Sequence, residues 1–188
     1  MEKITYEQYE KISNQLIIDF LKNATPKERH QLVSEWNHDS GYEIFNWIMN
    51  DPETDKGTAL MMYWMSGGAN NKIYADREDM MKTSSWDAER YDFIEQLEEK
   101  YLLGFYKNQN LSYDPTNDIL AAGVAYAPAD MVVVGYDWTK EDWGKAKREL
   151  PDEMLNKING ENIEPEKDWA EGVPPYIWEK MREYKVVD

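Results

Sequence analysis

Hydrophobic positions recur at helical spacing through the first hundred residues. Tyr9, Ile12, Leu16 and Phe20, joined by Ile17 and Leu21, predict an amphipathic helix over residues 4–23. Thr5 with Gln8 forms its capping box. Thr25-Pro26-Lys27-Glu28 gives a cap, a first-turn proline and a carboxylate three positions on, so a second helix runs to about Trp36. Residues 37–41 read as a turn in which Gly41 takes a positive φ. A third helix over residues 42–49 breaks at Asn50-Asp51-Pro52, because a residue before proline avoids the helical region. Asp55 caps a fourth, over residues 57–65. Its run Ala59-Leu60-Met61-Met62-Tyr63-Trp64-Met65 is apolar on every face. Such a helix must be covered all round, which places it at the centre of the core.

The pattern loosens afterwards. Ser66-Gly67-Gly68 ends the fourth helix, and residues 69–82 read as a polar loop anchored by Ile73 and Tyr74. Ser84-Ser85-Trp86-Asp87 opens a fifth helix, ended by Gly104. Its apolar positions are Trp86, Tyr91, Ile94, Leu97, Tyr101 and Leu102, with Glu95, Glu98 and Glu99 on the opposite face. Phe105-Tyr106 and Leu111-Ser112-Tyr113 flank a turn and suggest a short hairpin, and residues 131–136 have strand composition. Helices follow over residues 139–150 and 151–158, then a polar connection over 161–175. A last helix over residues 175–184 buries Ile177, Trp178 and Met181. The expected fold is mainly α, with a small β element within residues 105–136 and helical hairpins packed around the central apolar helix. A single domain is expected, its helical core over residues 26–106 and an extension over 107–188 packed on it.

Charge narrows the function classes. The 188 residues carry a net charge of −16 and contain no cysteine. Disulfides, thiolate metal sites and cysteine nucleophiles are excluded, and no signal-peptide layout opens the chain, so a cytoplasmic protein is expected. The apolar run over residues 119–129 is broken by Pro128 and is too short to span a bilayer. Acidity argues against nucleic acid and anionic membranes as partners and favours a basic protein. Eight Trp and thirteen Tyr supply amphipathic rings for a core and for interface anchors.

No motif assembles an active site. Asp51, Glu53 and Asp55 alternate as in a calcium loop, but the glycine falls at the seventh position and Met62 stands where the bidentate glutamate belongs. That segment reads as a capped turn between helices, and no metal or cofactor is expected. His30 and His38, with Glu35 and Asp39, are the residues an enzyme would use, yet their spacing is not that of a helical metal pair. Ser66-Gly67-Gly68 lacks the continuation of a phosphate loop. The acidic groups Asp76, Glu78, Asp79, Glu95, Glu98 and Glu99 are the candidate surface for a basic partner, or else a solvated face.

Two longer stretches carry a resemblance. P-K-E-R-H-Q-L-V-S-E-W-N-H-D-S-G and W-I-M-N-D-P-E-T-D-K-G-T-A-L-M-M-Y-W resemble the bacterial domain-of-unknown-function four-two-seven-four family. The likeness covers residues 26–64 and continues more loosely through Gly104-Phe105-Tyr106, with E-G-V-P-P at residues 171–175 resembling members' C-terminal ends. It assigns Trp36, Asn37, Asp39, Gly41, Trp47, Asp55, Gly57 and Trp64 to the motif's core or turns. Thr54 stands where many members have cysteine, which counts against shared thiol chemistry. The family's profile resembles the immunity partners of bacterial toxins. The resemblance therefore implies a non-enzymatic, acidic cytoplasmic protein that neutralises a toxin by binding its basic domain. The alternatives are a small enzyme using His30, His38 and Asp39, and a helical adaptor or oligomeric structural protein.

Overall fold

A computed structural model describes residues 1–37, 40–115 and 147–187. In chain order these form β1 (Glu2–Ile4), α1 (Tyr6–Leu21), α2 (Pro26–Glu35), α3 (Glu43–Asn50), α4 (Lys56–Met65), a 3-10 helix (Gly68–Ile73), α5 (Arg77–Ser84), a second 3-10 helix (Ser85–Asp87), α6 (Ala88–Leu102), a third (Asp152–Leu155), α7 (Pro175–Met181) and β2 (Tyr184–Val186). The fold is mainly helical with a small β element, as the pattern predicts, but the sheet joins residues 2–4 to 184–186 and lies outside residues 105–136. The chain divides into two compact units, Met1–Asp51 with Ile163–Asp188, and Pro52–Asn162.

In the first unit, both predicted capping boxes form. Thr5 and Gln8 exchange bonds at the start of α1, and Thr25 and Glu28 do so at α2. Each satisfies two backbone donors that a helix start leaves open. α1 packs against α3 and α7, burying Ile17 and Leu21 with Ile44, Phe45, Ile48 and Met49. The Arg29 side chain bonds Leu21 O at 3.0 Å and Asp51 at 2.7 Å, and its guanidinium lies 5.3 Å from the Trp47 ring. Gln31 exchanges bonds with the backbone N and O of Glu166, and Gly172 N donates to Glu35, which fastens the Glu-Gly-Val-Pro-Pro segment to α2. β1 and β2 pair in parallel with Glu2 opposite Tyr184.

In the second unit, α4 is buried from Gly57 through Trp64, as its all-round apolarity requires. α6 and the 3-10 helix Gly68–Ile73 cover it. Trp64 Nε1 donates to Met154 O at 2.7 Å. Asp55 works in two directions: one carboxylate oxygen caps α4 at Gly57 N (2.9 Å) and the other accepts from Asn110 N (2.7 Å). Gly57 lies so close to Leu111 that a Cβ would stand 2.4 Å from its carbonyl oxygen.

Several expectations are corrected. The loop predicted over residues 69–82 holds a 3-10 helix and α5. α5 is mostly polar because only Met80 of its eight residues is buried, and polarity alone reads as loop. Asp76 caps it through Asp79 N at 2.8 Å. Trp86 is 84% exposed on a 3-10 turn and does not join the buried face of α6. Leu102 is 43% exposed as well. Leu111 and Tyr113 bridge to Glu161 and Ile158, and form no hairpin with Phe105 and Tyr106. A long-range bridge of that kind leaves no local pattern. Residues 151–158 form only the 3-10 turn Asp152–Leu155. The last helix ends at Met181, and Tyr184 begins a strand. The described strands are β1 and β2, while the strand read at residues 131–136 and most of the helix over 139–150 fall outside the described residues.

Candidate functional site on α5 and α6

Two linked ion networks organise the inner face of α6. Lys72, on the 3-10 helix that covers α4, is only 2% exposed. An ammonium cannot be left unpaired at that depth. Its Nζ donates to Glu98 at 2.6 Å, and the hydroxyl of buried Tyr63 donates to the other Glu98 oxygen at 2.7 Å. Burial, and next the Glu98 charge, push the Tyr63 phenol well above its ordinary range.

One turn earlier on α6, Glu95 receives a two-pronged bond from Arg148 at 2.6 and 2.7 Å. Asn71 Nδ2 donates to the same carboxylate at 3.1 Å and to Tyr91 O at 3.1 Å. The remaining Arg148 donors reach Tyr74 O (2.9 Å) and Asn71 O (3.0 Å), and its guanidinium lies 5.9 Å from the Tyr91 ring. Burial alone would raise the Glu95 carboxyl, but the bonds from Arg148 and Asn71 outweigh it and hold the pKa below the ordinary value. The bond to Glu95 raises Arg148 further still. A cleft of about 390 Å³ opens beside the pair, with Asp76, Arg77, Asp92 and Gln96 on its walls.

The six acidic candidates therefore separate. Glu95 and Glu98 turn inward, each held by a cation. Asp76 caps α5, and Asp79 accepts from Lys147 Nζ at 2.6 Å and from Ala75 N. Glu78 is exposed beside Lys82, and Glu99 is exposed on α6. Next to them in sequence stands Trp86, with half-exposed Met81 on α5.

Elsewhere, His30 is buried on α2, while His38 and Asp39 lie outside the described residues. Trp36 and Trp64 are core, Trp47 is half-buried, Asn37 is exposed, Gly41 has φ +75°, and Asp55 and Gly57 hold the start of α4. No group of three metal-ligating side chains occurs among the described residues. None of their helices is long and apolar enough to cross a membrane.

Residues 24–102 match the family model described as a domain of unknown function, DUF4274. The chain carries a DUF4274 domain. No curated protein and no solved structure matches the chain. The DUF4274 segment supplies Tyr63, Asn71, Lys72, Tyr91, Glu95 and Glu98, so the acceptor side of both networks lies within it. Lys147 and Arg148 come from beyond it. Sequence reasoning missed Lys72 and Arg148 because neither sits in a motif and the partners of Arg148 lie more than fifty residues away. The one signal was a lysine, Lys72, between asparagines and the apolar pair Ile73-Tyr74.

Proposed function

We propose that this chain is an acidic binding protein of the cytoplasm. It acts as an immunity protein that neutralises a bacterial toxin by covering a basic surface of it. The net charge carries the reading. Each internal ion pair cancels one positive and one negative group, so pairing leaves the balance of −16 untouched. That excess raises the encounter rate with a cationic protein and repels anionic polymers. Exposed Trp86 supports the reading, since Trp is enriched among the residues that carry interface energy. The family match is compatible with it and adds no activity.

The test begins with capture of partners from the source cell's lysate at low salt. A stoichiometric toxin domain is then expressed with and without this chain. Restored growth supports the proposal. A captured partner whose toxicity is unchanged by co-expression removes the immunity reading.

A further inference from the structure

The strongest unassigned feature is the acceptor set around Arg148. A guanidinium presents five N–H donors in a rigid planar fork, whereas an ammonium is a point charge with three. The acceptors at this site match the fork. Both Glu95 oxygens face one edge at 2.6 and 2.7 Å, Tyr74 O takes Nε at 2.9 Å, Asn71 O takes a second bond from Nη2, which also serves Glu95, at 3.0 Å, and the Tyr91 ring lies alongside.

The set has supports besides Arg148. Glu95 is oriented by Asn71, and Asn71 by the Tyr91 carbonyl. Tyr74 and Asn71 present backbone carbonyls from the end of a 3-10 helix. The Arg148 backbone is held separately, with its N–H on Lys72 O. Removing only the side chain would leave the acceptors and the main chain in place. The pair is also open to water: the Arg148 and Glu95 side chains are 26% and 30% exposed, and the adjoining cleft is lined by Asp76, which caps α5, and by Asp92, which Arg77 holds at 2.7 and 2.9 Å.

We propose that this α6 cleft is an arginine-recognition site which Arg148 occupies in cis, and that the ligand it takes in trans is an arginine side chain. Its preorganised acceptors make exchange of one guanidinium for another a matter of competition, with Arg148 favoured by its high effective concentration. That the incoming arginine belongs to a basic protein partner rests on the binding reading above; the recognition site itself does not.

The probe is Nα-acetyl-arginine amide, with the lysine derivative as control, on the full chain. Arg148→Ala should bind the arginine compound at least about tenfold more tightly than the lysine compound by calorimetry. Millimolar arginine compound should raise its Tm by about 2–4 °C. Adding Glu95→Gln should abolish both effects. In the wild-type chain, the arginine probe alone should speed solvent exchange of the Arg148 Nε–H seen by nitrogen-15 NMR. A purely structural ion pair would leave that rate unchanged. Equal responses to the two probes, binding that survives Glu95→Gln, or an unmoved Nε–H would overturn the proposal. If Arg148→Ala does not fold, Arg148→Lys, which keeps the charge and loses the fork, takes its place with the same expectations. Salt-steered association with a captured partner, measured on the wild-type chain, can succeed when these tests fail, so the two readings fall separately.

Discussion

At the scale of single residues, Lys72 carries the sharpest consequence. Lys72→Met removes the cation and leaves the Glu98 carboxylate, only 12% exposed, with Tyr63 alone. Breaking a buried pair from one side costs about 3–5 kcal/mol. Urea unfolding should show that loss as a lower midpoint with an unchanged slope. The tyrosines give a second expectation. Tyr63 and Tyr106 are raised chiefly by burial, and Tyr101 is pushed up to about 12 by burial and then by Glu153. A phenol whose folded pKa is raised contributes stability that is fully present below its unfolded pKa, here 10.0, and is lost as pH rises through the folded value. Absorbance near 295 nm should therefore show these phenols ionising late, together with unfolding. Glu95 works at the opposite end. Its depressed pKa means a contribution present above 4.5 and lost as pH falls through the folded value. Arg148→Ala should flatten that acid-side dependence.

At the scale of elements, the start of α4 depends on one carboxylate. Asp55→Ala removes the cap at Gly57 N and the acceptor for Asn110 N together. A lost cap with a buried donor left unmet costs about 2–4 kcal/mol, checked by thermal and urea unfolding. Gly57→Ala should destabilise too, because its Cβ would meet the Leu111 backbone, which cannot rotate away. The legibility of elements follows the same logic. α1, α2 and α4 were readable because their caps lie within three residues of the turns they satisfy. α5 was not, since a helix that buries a single methionine has no apolar stripe to read. Trp86 was misplaced for the converse reason: helical spacing matched, but a 3-10 turn intervened and sent the ring to solvent. The site needed pairings from Lys72 to Glu98 and from Arg148 to Glu95, and no spacing rule joins such distant positions.

At the scale of the whole molecule, charge should govern association. If the binding reading holds, the on-rate for a basic partner should fall steeply with added salt, because screening shortens the reach of surface charge to about 10 Å at 0.1 M. Stopped-flow mixing across a salt series would measure it, and a flat on-rate would remove electrostatic steering. Charge was legible from composition at once; its distribution between inward pairs and outward groups was not, because that division depends on the fold.

The pairing of β1 with β2 has a consequence for how the protein is made. Residues 2–4 find their strand partner only at residues 184–186, and the unit that holds them is assembled from the first 51 residues and a final segment beginning at Ile163. During translation, α1, α2 and α3 leave the ribosome long before α7 and β2 exist. The other unit is continuous and has all its residues once Asn162 emerges, so it can form while the earlier helices still wait for their closing segment. Synthesis thus supplies every residue of the second unit before the segment that closes the first.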